Sequence, residues 1–220
     1  MIYLLGEILT DEDIKILTDY ADPLLKSLTK KDHLLFFSSA ALVKKPEFID
    51  LLEGMPFSTV ILDGDVSMYS VVDGLAPDRR LGKGAFKLSD SVSVIADGGL
   101  FRIEGLKILV CCVGDADGRQ NDNYNKRTDA MRKRFAKALR TNGSKVDHII
   151  TDIPPHRIAF RIIKYCSFDV NSVHFDRLLH EAEFKSWFFC NFRRDKALDN
   201  KFFCVFRKLT PINISDPENS

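Results

Sequence analysis

The chain has 220 residues, 45% of them apolar and 29% charged, with 17 phenylalanines. That supplies enough apolar surface to bury a sizeable core, so disorder throughout is excluded. Lys and Arg number 32 against 31 Asp and Glu, a net charge of +1, so no global field draws nucleic acid or acidic substrates. Five cysteines are too sparse, and odd in number, for a disulfide framework. No stretch approaches the ~20 consecutive apolar residues of a membrane-spanning helix. The opening Met1-Ile2-Tyr3-Leu4-Leu5-Gly6-Glu7 lacks the basic start of a signal peptide and reads as a strand. The expectation is a soluble protein with free thiols in a reducing compartment, the cytoplasm, and no membrane partner.

Apolar runs at residues 2–5, 34–37, 59–62, 92–96, 107–113, 148–151, 187–189 and 202–206 read as strands. Several are nearly continuous in Leu, Ile, Val and Phe, which suits strands covered on both faces. After the first, Thr10 caps a helix with Asp13 three positions on, turning Ile14 and Leu17 inward. Pro23 forces a break before Leu24, Leu25 and Leu28 continue as a second helix. Pro46 opens another, with Phe48, Leu51 and Leu52 on one side. Gly82-Lys83-Gly84 lacks the rest of a phosphate loop and reads as a turn. Strands alternating with helices, then strand-rich sections, predict an α/β layered domain.

Residues 114–125 are rich in Asp, Asn and Gly and read as a long surface loop. Within it, Asp115-Ala116-Asp117-Gly118 falls short of a calcium loop, because the Gly is misplaced and no Glu closes it. A basic helix follows over 126–140. Met131, Phe135 and Leu139 form its buried stripe, and Lys126, Arg127, Arg132, Lys133, Arg134, Lys137 and Arg140 cover the rest. Such a face is either simply solvated or a docking surface for an acidic protein or a nucleic-acid backbone. No aromatic residues interleave with the charges, which weakens single-strand binding. The domain is expected to span 1–209, with the polar, Pro-bearing tail 210–220 disordered.

His33, His148, His156, His174 and His180 show no HxH or HExxH spacing, and no cysteine pair shows CxxC, so a zinc site of familiar type is not expected. Adjacent Cys111 and Cys112 point to opposite faces of a strand and read as buried core thiols.

The strand ends form an ordered series. The first runs into Gly6-Glu7-Ile8-Leu9-Thr10, and the second, Asp32-His33-Leu34-Leu35-Phe36-Phe37, into Ser38-Ser39. Val60-Ile61-Leu62-Asp63-Gly64 leads into Asp65-Val66-Ser67, and Ile149-Ile150-Thr151-Asp152 precedes Pro154 and Pro155. Trp187-Phe188-Phe189-Cys190-Asn191-Phe192-Arg193 closes the series. This order, from residue 1 to about residue 209, resembles the calcineurin-like metallophosphoesterases. The resemblance implies a four-layer α-β-β-α sandwich of two mixed sheets. In that family the corresponding motifs read Gly-Asp-x-His-Gly, Gly-Asp, Gly-Asn-His followed by Glu or Asp, Thr-His-x-x-Pro and Gly-His-x-His. They hold two metal ions about 3.5–4 Å apart, which clamp phosphate during in-line attack by a bound hydroxide.

On this resemblance the chain is a degenerate member whose scaffold survives and whose chemistry does not. Leu9 stands for the first-motif His, and Ser39 for the Asp that bridges the metals. Val66 stands for the His that protonates the leaving group, and Asn191 and Arg193 for the two His of the last motif. Arg193 adds a permanent positive charge where a cation would bind. Two like unit charges 4 Å apart repel by about 4 kcal/mol at an effective dielectric of 20. No catalytic residue and no resident cofactor are therefore expected. Glu7, Asp65, Asp152 and Asn191 remain as oxygen ligands, a set suited to a single Mg²⁺ or Ca²⁺. The favoured reading makes them polar remnants, with Arg193 paired to Asp152 or Glu7.

Three functions compete. The first is a pseudoenzyme that binds a macromolecule, a protein before a nucleic acid, and regulates or inhibits it through the 114–125 loop and the basic helix. The second is a hydrolase rewired to one hard ion at Glu7, Asp65 and Asp152. The third is a non-catalytic nucleotide or nucleic-acid binder in which Arg193 and Arg194 hold phosphate. The first is the expectation.

Overall fold

The computed structural model describes residues 1–19, 23–62, 68–96, 98–112, 122–163, 170–190 and 192–212. In chain order its first half holds β1 (Ile2–Ile8), α1 (Asp11–Thr18), α2 (Pro23–Ser27), β2 (His33–Ser38), α3 (Ala40–Val43), α4 (Pro46–Glu53), β3 (Ser58–Leu62), α5 (Tyr69–Val72), β4 (Ala85–Lys87) and β5 (Val92–Ile95). The second half holds β6 (Gly99–Ile103), β7 (Leu106–Cys111), α6 (Asp122–Thr141), β8 (His148–Thr151), α7 (His156–Ile162), α8 (Val170–Glu181), β9 (Ser186–Phe189), β10 (Lys196–Leu198), β11 (Phe202–Cys204) and β12 (Thr210–Pro211).

Alternation along the strands sets the layers, since neighbouring side chains on a strand leave opposite faces. In β1, Ile2 and Leu4 enter one apolar cluster while Tyr3 and Leu5 enter another. In β9, Phe188 joins the first of these while Trp187 and Phe189 join a third. The shared cluster takes Leu35, Phe37, Val60 and Leu62 from one sheet and Ile108, Val110 and Ile150 from the other, with no helical residue. The outer clusters bring in the helices. Leu17, Leu25, Leu42, Phe48 and Leu52 cover one sheet, and Met131, Phe135, Leu139, Ile158 and Phe175 cover the other. The result is an α/β sandwich of two mixed sheets between helical layers.

The sheets run in the orders β12-β1-β2-β3-β5-β4 and β10-β11-β9-β8-β7-β6. Four inner strands of each are parallel, and antiparallel strands close both edges. Parallel order puts the C-terminal ends of β1, β2, β3 and β5 along one rim, and those of β7, β8, β9 and β11 along another. Such rims are where open α/β sheets bind ligands.

The local signals act as expected at several elements. Thr10 Oγ1 accepts from Asp13 N at 3.3 Å and Asp13 Oδ2 accepts from Thr10 N at 3.0 Å, a full capping box on α1. Pro46 occupies the first turn of α4, and Gly82 and Gly84 turn with φ of 137° and 92°.

Two expectations need correction. The basic helix begins at Asp122 rather than at 126, so residues 122–125 belong to α6 and not to a loop; residues 114–121, including Asp115, Asp117 and Gly118, lie outside the described set. The tail is ordered at its start: β12 pairs with β1, Ile212 N donates to Ile2 O at 2.9 Å, and Ile212 is fully buried between the sheets. One buried isoleucine next to a free strand edge holds this segment despite its polar composition.

Candidate functional site

Building from the sequence upward, the rim begins at Gly6. A Cβ there would lie 2.4 Å from Phe206 O and 2.6 Å from Phe206 Cα, both backbone atoms. Only glycine lets the exit of β11 cross β1 this closely, and Gly6 N donates to Phe206 O at 3.1 Å across the gap. The crossing segment is held in turn by Asp195, whose carboxylate accepts from Phe206 N, Arg207 N and Lys208 N at 2.8–3.2 Å. Arg193, two residues earlier, is exposed and adopts the left-handed region at φ 45°.

Glu7 follows Gly6 on β1. Cys190, just past β9, donates its thiol to Glu7 Oε1 at 3.7 Å, and its backbone N donates to Asp152 O at 3.2 Å. Glu7 from one sheet and Asp152 from the other thus converge on Cys190. Burial raises the Glu7 pKa above the ordinary carboxylate value; the Asp13 charge adds to this, while the Cys190 hydrogen bond and the Arg193 charge oppose it. Burial also pushes the Cys190 thiol well up, helped by the charges of Glu7 and Asp152, so it stays protonated as a donor. The buried Asp152 accepts from Ile153 N at 2.9 Å. Beneath it Trp187 Nε1 donates to Thr151 Oγ1 at 2.8 Å, fixing the end of β8.

On the other side of β1, Ser39 caps α3. Its Oγ accepts from Leu42 N at 3.3 Å and donates to Leu9 O at 3.5 Å, while Ser38 Oγ donates to Ile8 O at 2.8 Å. Leu9 presents an apolar side chain, 39% exposed. Asp65, Val66 and Asn191 lie outside the described residues. The described oxygen donors at this rim are Glu7, its pKa raised by burial, and Asp152; Leu9 is apolar, Ser39 caps α3 and Arg193 is exposed. Among the described residues no group of three or more His, Cys, Asp or Glu is placed to hold an ion. The expected ion pair from Arg193 to Asp152 or Glu7 does not form among the described residues; Arg193 acts on Glu7 through its charge, from an exposed turn anchored by Asp195.

The basic face lies on α6. Met131, Phe135 and Leu139 are buried as expected. Arg132 donates to Asn171 Oδ1 at 2.9 Å and pairs with Asp129, and Arg140 pairs with Glu181 at 3.2 Å. Lys126, Lys133, Arg134 and Lys137 are exposed; the side chain of Arg127 lies outside the described set. An open groove of about 520 Å³ between α6 and α8 gathers Arg132, Lys133, Lys137, Arg140 and His174.

Cys190 and His174 escaped sequence reasoning. Cys190 had a signal in its position, a small polar residue directly after a buried parallel strand. His174 had none, because nothing local marks α8 as the neighbour of α6.

No family model matches the chain, and no curated protein matches it. A solved structure of a protein of unknown function from Aquifex aeolicus is similar at 17% identity, covering 71% of this chain and 78% of that one, with a TM-score of 0.35. A likeness that weak supports no statement about function. No helix among the described residues is long and apolar enough to cross a membrane.

Proposed function

We propose that this chain is a pseudoenzyme, a metallophosphoesterase-like sandwich that has given up hydrolysis and binds a macromolecular partner, a protein, which it regulates or inhibits. The observation that supports it most is the contact between Glu7 and Cys190. A hard divalent ion needs an ionised carboxylate free to coordinate. At the rim where the resemblance would set the metals, the Glu7 carboxylate is half-buried, with its pKa raised by burial, and accepts from a thiol, and Ser39 is engaged in capping α3. What remains free for contact is surface: the exposed lysines of α6 and the loops around the rims.

A second reading has one observation in its favour. Glu7 Oε1 and the backbone carbonyl of Asp152 come from different sheets to the same sulfur at 3.7 and 3.8 Å, so a single Mg²⁺, Mn²⁺ or Ca²⁺ displacing the thiol would find one carboxylate and one carbonyl oxygen. The discriminating assay is turnover of a chromogenic phosphodiester by the purified chain with each of these ions at millimolar concentration. The binding-protein reading predicts no turnover above buffer, in the native chain and in Glu7→Gln alike. Metal-dependent turnover that disappears in Glu7→Gln would replace it with the single-ion hydrolase.

A further inference from the structure

The groove between α6 and α8 has a companion on the opposite flank of α6. That second groove encloses about 500 Å³ and is lined by Lys83, Arg134 and Lys137 over a floor of Gly98, Gly99 and Leu100. Lys137 and Thr141 line both grooves, so the two open along one ridge. Arg132 and Arg140 are committed to Asp129, Asn171 and Glu181. Lys83, Lys133 and Lys137, all exposed, enter no ion pair among the described residues. An imidazole lies inside the first groove. His174 lines it with Nε2 lacking a hydrogen-bond partner, and burial, followed by the charges of Arg132 and Arg177, lowers its pKa.

We propose that the α6 ridge is the docking site for an extended acidic peptide segment of a protein partner, with carboxylates seated on Lys133 and Lys137. This rests on the binding-protein reading and assigns its surface. Lys133 and Lys137 lie one helical turn apart, about 5–6 Å between Cβ atoms. In an extended peptide, side chains on one face repeat at about 6.7 Å. Acidic residues at every second position therefore meet both lysines, whose flexible stems absorb the difference.

A duplex nucleic acid fits less well. Binding driven by phosphate neutralisation typically uses about 6–10 contacts, whereas the ridge offers three uncommitted lysines. The Asp129 carboxylate lines the same groove, within reach of the Lys133 charge, and would repel a continuous polyanion more than a short segment. The near-neutral whole chain adds no long-range attraction.

The test is fluorescence anisotropy with a labelled peptide of alternating aspartate and serine, with a duplex oligonucleotide as competitor. The native chain should bind the peptide saturably, more weakly as salt rises, and His174 imidazole resonances should move on binding. The double substitution Lys133→Glu/Lys137→Glu should weaken binding at least about tenfold with unchanged melting, since both side chains are exposed. The milder Lys133→Gln/Lys137→Gln pair should show a smaller loss and serves if the reversal disturbs folding. Absence of saturable binding, native affinity retained in both double variants, or displacement of the peptide by duplex at lower concentration would each overturn the assignment. Phosphodiester turnover by the same preparation would instead overturn the binding-protein reading and leave the peptide affinity as measured.

Discussion

His148 is 2% exposed, packs beside the Phe188 ring with centroids 5.9 Å apart, and has no hydrogen-bond partner at Nδ1. Burial pushes its pKa from 6.5 down to about 4. The unfolded chain takes up the proton first on acidification, so stability is complete above pH 6.5 and falls as pH drops towards about 4. A shift of this size corresponds to stability on the order of 3 kcal/mol. Melting of the native chain across this range should show the decline, and His148→Gln should make it shallower. An equally steep decline in the variant would remove His148 as the cause. His174, also lowered by burial, adds in the same sense below pH 6.5. Asp78, held by Arg80 and by Ser93 with its pKa lowered to about 2, loses its contribution only between pH 3.8 and about 2. Glu7, whose pKa is raised, acts in the opposite sense, stabilising at low pH and less as pH rises.

Two strands meet at Gly6, and that crossing joins the sheets at the candidate site. Gly6→Ala places a methyl group against the backbone of Val205 and Phe206, which cannot yield as a side-chain tip would. A loss of about 2–4 kcal/mol is expected, at the upper end of single substitutions, measured as a fall in melting temperature; full native stability would show that β11 can move aside. The elements legible beforehand were those with a strong local cause. The inner strands are covered on both faces and therefore read as continuous apolar runs, and α1 and α4 carry their own start signals at Thr10 and Pro46. The edge strands were not legible. β10 is Lys196-Ala197-Leu198, mostly exposed, and forms only because β11 offers an antiparallel edge. β6 depends on a two-residue turn in which Glu104 and Gly105 both take positive φ, 50° and 80°; the glycine was visible, but the glutamate does not favour that conformation. β12 depends on Ile212 finding the gap between the sheets.

In the whole molecule, Glu7 and Asp152 were expected together only from the fold that the resemblance implies, and both are found at Cys190, one from each sheet. Sequence order did not reveal that Cys190 stands between them, that Ser39 serves as a helix cap, or that Arg193 is turned out on a loop tied by Asp195. The first depends on packing between residues 183 apart, Cys190 and Glu7; the Ser39 cap and the Asp195 tie are local contacts that no strong sequence signal marks. We propose that this rim holds no divalent cation and that the fold serves as a binding scaffold. Thermal denaturation of the native chain with increasing Mn²⁺ tests it most directly, because a ligand confined to the folded state adds about 2.7 kcal/mol at a hundredfold excess over its dissociation constant. The prediction is a melting temperature that does not change with the metal. A rise that grows with Mn²⁺ and is lost in Glu7→Gln would contradict it.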